Sequence, residues 1–267
     1  MIGWEFILLY LAAGCVAGFL AGLLGVGGGV IIVPILMFIF AAQNFPVDHM
    51  IHIAIGTSLA SIMFTSVSSL RAHHGHGAVN WSIVKRITPG ILLGTLAGTF
   101  VVAKLPAGFL KGLFIVFLFY VATQLLLNIK PKPTRQLPGT GGMLAAGGII
   151  GLVSSFVGIG GGALSVPFMT WSNVKMHNAI GTSAAIGFPI AVAGTIGYVL
   201  NGWSVDDLPD WCFGFIHLPS LAGLVVASML IAPLGARAAH KLPVATLKKI
   251  FAAFLFIIGT KMLLGAV

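Results

Sequence analysis

Two runs of three glycines, Gly27-Gly28-Gly29 and Gly160-Gly161-Gly162, each sit inside an apolar stretch and are each followed by proline, Pro34 and Pro167, at the same distance. Glycine carries no Cβ, so consecutive glycines let the chain take positive φ and turn several N–H groups the same way. At a break in a membrane helix those groups have no intrahelical partner, and an anion at a helix N-terminus satisfies several at once. A second pair of phrases follows: His52-Ile-Ala-Ile-Gly56-Thr57-Ser58 and His177-Asn-Ala-Ile-Gly181-Thr182-Ser183. Thr57, Ser58, Thr182 and Ser183 supply short hydroxyls, which either donate to an oxyanion or bond back to a carbonyl one turn earlier. His52 and His177 are proton-responsive anion contacts on one reading and neutral, hydrogen-bonded interface residues on the other. The candidate anion site is therefore Gly27, Gly28, Gly29, Thr57, Ser58, Gly160, Gly161, Gly162, Thr182 and Ser183, with His52 and His177 beside it.

The two glycine phrases stand 133 residues apart and the two His phrases 125 apart, in the same order. That is an internal duplication, and glycine-broken apolar segments at matching positions of two halves point to a transporter's binding site. The chain is 58% hydrophobic and only 7% charged, with mean hydropathy +1.08. Soluble domains carry about 25% charged residues, so this chain cannot cover a water-facing surface and belongs in a bilayer. The N-terminal apolar run lacks a basic leader and runs into the repeated motif, so it reads as part of the fold rather than a removable signal. The formal charge of +9 lies in short connections between apolar runs. There it is topology information, not a nucleic-acid footprint.

Ten apolar segments follow, five per half: 4–24, 30–41, 50–70, 87–103 and 112–129, then 143–157, 163–171, 179–200, 216–236 and 250–267. Without the alternation of outer-membrane strands they are helices. Residues 30–41 and 163–171 fall short of the roughly 20 needed to cross. Each pairs with the helix before it as a broken or re-entrant hairpin, with the glycines at the bend. The fold expected is an all-α polytopic membrane bundle of two repeats, 1–129 and 143–267, joined by a Pro-rich cytoplasmic linker at 130–142. The 71–86 connection carries three cations, whereas its equivalent at 200–217 carries Asp206, Asp207 and Asp210. Basic connections prefer the cytoplasm, so equivalent loops lie on opposite sides and the repeats are inverted, with both termini outside the cytoplasm. A parallel repeat of four crossing helices is the competing arrangement.

Other chemistries fare less well. Gly158-x-Gly160-x-x-Ala163 matches a relaxed dinucleotide fingerprint, but no βα unit or ribose-binding acid follows. No Gly-x-x-x-x-Gly-Lys-Ser/Thr loop is present, so the chain does not itself hydrolyse ATP, and neither an enzymatic role nor a cofactor is expected. Asn80-Trp81-Ser82 fits a glycosylation sequon on a loop placed in the cytoplasm, and is set aside. Cys15 and Cys212 give no disulfide and no thiolate metal site. His73, His74 and His76 could hold a metal, making a membrane assembly or metal-handling protein the alternative, yet no carboxylate or thiolate stands near. Gly14, Gly18 and Gly22, and Gly90, Gly94 and Gly98, are small-residue ladders for helix packing. All five acidic residues fall at segment ends or in loops, unlike the buried carboxylates of proton and sodium pumps. A low-acid core suits an anion. Each negative charge moved outward gains about 2.3 kcal/mol per 100 mV, so export needs no coupling ion.

Gly25-Val-Gly-Gly-Gly29 with Val33-Pro34, Gly158-Ile-Gly-Gly-Gly162 with Val166-Pro167, and the paired Ile-Gly-Thr-Ser phrases resemble the TauE/SafE family of membrane permeases. The likeness runs over essentially the whole chain, including Leu105-Pro106 and Leu242-Pro243. It implies movement of sulfite or organosulfonates such as sulfoacetate across the cytoplasmic (inner) membrane, as export. The partners expected are a small anion and the bilayer.

Overall fold

A computed structural model describes residues 3–24, 28–127, 135–238 and 244–265. Ten helices run through them: α1 (Trp4–Leu24), α2 (Gly29–Ala42), α3 (Val47–Gly75), α4 (Trp81–Val102), α5 (Ala107–Leu126), α6 (Thr140–Val157), α7 (Gly162–Trp171), α8 (Met176–Gly202), α9 (Leu218–Ala238) and α10 (Val244–Leu263). The described residues form no strand, only a single bridge between Cys212 and His217. Six helices, α1, α3, α5, α6, α8 and α9, are long and apolar enough to cross a bilayer. At 1.5 Å per residue, α2 (14 residues) and α7 (10 residues) reach only about 21 and 15 Å, short of a hydrocarbon core of about 30 Å. Each follows a glycine break, as a broken hairpin requires.

The helices extend past the apolar runs at their charged ends. α3 continues through Arg71, His73 and His74, and α4 starts at Trp81, taking in Lys85 and Arg86. Hydropathy finds only the lipid-depth part of a helix, whereas backbone bonding continues into the interface wherever a cap allows. For α4 that cap is Asn80, whose Oδ1 accepts from Ser82 N at 3.1 Å and Ile83 N at 3.4 Å. The 71–86 connection is thus mostly helix.

α3 and α8 form the centre. The apolar window of α3 is 83% buried and that of α8 is 61%, while the other four fall below half. The two run antiparallel: Gly194 meets Leu59, Gly187 meets Ser66, and Gly56 meets Tyr198. Around them α1 packs on α9, and α4 on α6. Both of these outer pairs run parallel along glycine ladders, Gly14, Gly18 and Gly22 against Leu224, Ser228 and Ala232, and Gly90, Gly94 and Gly98 against Leu144, Gly148 and Leu152. α5 packs on α10, α2 on α3, and α7 on α8. Exchanging the two halves turns each of these pairs into itself or into another pair. Apolar side chains such as Leu93, Val116, Ile149 and Leu230 are about 70% exposed on the outer surface, as a chain embedded in lipid allows.

Candidate functional site

Gly28 and Gly161, the residues before α2 and α7, have the same local geometry. Gly28 (φ 77°, ψ −13°) precedes α2, and Gly161 (φ 75°, ψ −7°) precedes α7, both left-handed. The Gly28 carbonyl accepts from Ile31 and Ile32, and the Gly161 carbonyl from Leu164 and Ser165, so each glycine starts its helix. Gly158, also left-handed, ends α6. Between Gly158 and Gly162 the chain reverses within four residues, and the first N–H groups of α7 are those a helix leaves unpaired. The bends touch: Gly29 lies against Gly158 and Ile159 so closely that a Cβ there would overlap the Gly158 carbonyl. Gly27 lies outside the described residues.

The duplicated hydroxyls have distinct partners, and that of Ser58 is a bend residue. Thr57 Oγ1 accepts from the backbone N–H of His217 at 3.0 Å, and Thr182 Oγ1 accepts from that of Asn80 at 2.9 Å. His217 and Asn80 immediately precede α9 and α4, so each threonine caps a helix of the opposite half. Ser58 Oγ donates to the Gly158 carbonyl at 2.7 Å. Ser183 Oγ accepts from Ser165 Oγ at 2.9 Å. His52 is buried in the first half of α3, its Nε2 at 3.3 Å from the Val102 carbonyl and its ring stacked on Phe215. Its counterpart His177 is exposed at the start of α8. Neither histidine lies at the bends.

Of the candidates, Gly160 and Ser183 line a small internal cavity of about 10 Å³ between α1, α3 and α8, room for one water. Thr65, Ser66 and Ser69 of α3 complete its polar wall, with Ala21, Ala184 and Gly187. Thr65 Oγ1 is shared between the Ser61 carbonyl and Ser228 Oγ, and Ser66 Oγ donates to the Met63 carbonyl. Ser69 is 3% exposed, and its Oγ has no partner. The wall holds no ionisable side chain. Sequence reasoning missed Thr65, Ser66 and Ser69, although Ser58, Ser61, Thr65 and Ser69 recur at helical spacing and mark one hydroxyl face of α3. The cavity lies toward the C-terminal end of α3, two residues from the exposed Arg71.

A separate, open vestibule of about 680 Å³ lies at the other end of α3, bordered by Gln43, Asn44, Asp207, Asp210, Trp211 and His217. At its floor His217 stands edge-on to Phe40 and Phe45, with ring centroids 5.5 and 5.2 Å away, and Tyr10 bonds Gln43 at 2.8 Å. His217 Nδ1 lies 3.0 Å from Ser220 Oγ, whose own proton goes to the His217 carbonyl; the ring therefore donates. Burial pushes the His217 imidazole down to about 4. Unfolding then takes up a proton below the usual value near 6.5, so stability is full above that pH, falls as pH drops towards 4, and levels off below. Thermal unfolding across pH 3.5–7.5 checks this, and His217→Gln should flatten the slope.

Burial, with the nearby Asp210, pushes the Cys212 thiol up to about 12, and both cysteines are free. The three histidines at the end of α3 turn to separate partners: His73 Nε2 to the Gly22 carbonyl, His76 Nδ1 to the Ala72 carbonyl, and His74 Nδ1 to Trp81 Nε1. Among the described residues no three His, Cys, Asp or Glu side chains gather for a metal.

A family model described as "Sulfite exporter TauE/SafE" matches residues 10–262. A "Probable membrane transporter protein" of Haemophilus influenzae is 37% identical over 98% of this chain and 99% of its own length. Similar proteins described in the same words occur in Methanocaldococcus jannaschii, 26% identical over 98% of both chains, and in Bacillus subtilis (YunE), 27% identical over 97% of both. No solved structure matches the chain significantly.

Proposed function

The chain belongs to the TauE/SafE family and is a multi-pass membrane transporter, and from that premise we propose that it exports small sulfur oxyanions, sulfite or sulfonates such as sulfoacetate, across the cytoplasmic membrane. The observation that carries this reading is the hydroxyl-lined cavity beside the Gly160 bend, which has room for one water in this conformation and must widen to admit an oxyanion. Its wall offers hydroxyls and backbone, includes no carboxylate, and keeps one buried hydroxyl, Ser69 Oγ, unpaired. A buried donor without a partner costs about 1–3 kcal/mol, and a tetrahedral or pyramidal oxyanion repays it. All five acidic side chains are exposed, so no buried carboxylate opposes an anion. The anion is moved, not chemically changed.

The antiparallel crossing of α3 and α8, which carry the same duplicated phrase, supports two inverted repeats over 1–129 and 143–267. A parallel repeat would set those equivalent helices parallel. In an inverted pair, rocking one half against the other opens the bends to alternate faces. The inside-negative potential then drives the anion outward, about fiftyfold per charge at 100 mV.

Counterflow in proteoliposomes tests the reading: unlabelled sulfoacetate inside, labelled sulfoacetate outside, with a protein-free control. Accumulation that chloride does not compete away is the expected result. No accumulation of sulfite or of any sulfonate by folded protein would overturn the substrate class. Within this frame Ser69→Ala removes a hydrogen bond to a charged ligand, worth about 1.5–3 kcal/mol. It should raise the half-saturation concentration tenfold or more, with insertion unchanged, in the same assay.

A further inference from the structure

Every element that builds the cavity at Ser69 and Ser183 is duplicated, and Gly27, the counterpart of Gly160, lies outside the described residues. Carried across the two offsets of the repeat, Ser183 corresponds to Ser58, Ala21 to Ser154, Thr65 to Ile190, Ser69 to Gly194 and Ala184 to Leu59. These counterparts lie closed around the Gly158–Gly162 bend. Leu59 Cδ1 comes within 2.7 Å of the point where a Cβ on Gly194 would stand. Ile190 covers the position a side chain on Gly161 would take, and Ser154 Oγ lies 3.5 Å from that position. Ser58 is held away by its bond to the Gly158 carbonyl. Ser154 is fully buried, and its Oγ has no partner.

Resting on the transport reading above, we infer that Ser58 and Ser154 form a second oxyanion site, closed here by Leu59 and Ile190, which opens toward the vestibule at Asp207 and Asp210 when the Ser69 cavity closes. Ser69 and Ser154 stand at different positions of the repeat, and each places one buried, unpaired hydroxyl in one of the two sites. A bound anion would supply each with its missing partner. Opening the second site requires Ser58 to leave the Gly158 carbonyl and the two aliphatic side chains to withdraw. The polarity of the two sites differs. Thr65, Ser66, Ser69 and Ser183 surround the first, whereas Ile190, Ala191 and Gly194 replace three of those hydroxyls in the second. An anion is therefore held more weakly on the acidic face than on the face of Arg71, Lys85 and Arg86. That difference favours release at the vestibule without setting the final gradient.

The test uses Ser154→Cys in a Cys15→Ala/Cys212→Ala background, in oriented vesicles, with a membrane-impermeant anionic thiol reagent on one face at a time. Adding Leu59→Ala or Ile190→Ala removes part of the closure. Modification from the Asp206–Asp210 face should then speed up at least tenfold, while modification of Ser69→Cys from the Arg71 face should slow. Ser58→Cys serves as a second reporter should Ser154→Cys fail to fold. Unchanged labelling of both reporters in both closure variants, or labelling from the Arg71 face, overturns the site. Saturating sulfoacetate on the Arg71 face should also accelerate labelling. Acceleration by the closure variants without any effect of sulfoacetate would uphold the second site and overturn the sulfonate assignment.

Discussion

Gly161→Leu is expected to reduce sulfoacetate counterflow to the level of protein-free liposomes while the protein still inserts and elutes as a single folded species. Gly161 sits at φ 75°, where a side chain costs roughly 1–2 kcal/mol. Total stability is of order 5–15 kcal/mol, so the strain alone leaves the fold standing. The consequence falls on the site instead. A leucine side chain here runs into Ile190 and Ile150 and occupies the space beside Ser154 Oγ, while the backbone at the start of α7 turns away from the geometry that exposes its first N–H groups. Gly28→Leu carries the same penalty at φ 77° and meets a less forgiving neighbour, since the Ala17 carbonyl lies 2.9 Å from the new Cβ. A backbone oxygen cannot rotate aside as an isoleucine methyl can. Gly28→Leu should therefore lose transport equally and stability by more. Counterflow paired with thermal unfolding in detergent separates the two effects. Transport surviving in both variants would remove the bends from the translocation path.

Much of this arrangement could be read from residue order. The apolar runs locate all ten helices, and the repeated glycine triplets mark both bends because left-handed backbone and close approach leave glycine few substitutes there. The partners of the hydroxyls were not legible. Thr57 and Thr182 each receive an N–H from the residue before a helix of the other half, and nothing within seven residues of either threonine says which strand of chain will arrive. Ser69 escaped for the opposite reason. Duplication was the filter for function, and Gly194 stands at its equivalent position, so a residue serving one face of the membrane has no twin to flag it. The charged helix ends were hidden as well: Arg71, Lys85 and Arg86 read as loop because hydropathy reports lipid depth rather than backbone conformation.

Replacing Gly94 with leucine should give the opposite pattern from Gly161→Leu, a loss of folded protein rather than a loss of transport per folded molecule. Gly94 faces the backbone of Gly148, and its neighbours Gly90 and Gly98 face Leu144 and Ser155 along the same α4–α6 seam. In lipid no hydrophobic force drives helices together, so the close fit of small residues supplies much of what holds this seam. Overpacking a tight contact costs about 1–3 kcal/mol, and the upper end applies where the neighbour is backbone. The seam cannot relieve the strain by shifting one helix alone, because α4 also packs on α8 and its first turn is anchored by Thr182 through Asn80. Moving α4 therefore disturbs the central pair. We expect a lower unfolding temperature and a severalfold drop in monodisperse protein, with near-normal counterflow per folded molecule in whatever remains. Gly18→Leu on the α1–α9 seam, whose new Cβ would meet the backbone of Ser228, should behave alike, because exchanging the halves turns one seam into the other. Normal yield with lost transport in either variant would instead mean that these ladders slide during the cycle, as moving surfaces rather than fixed ones.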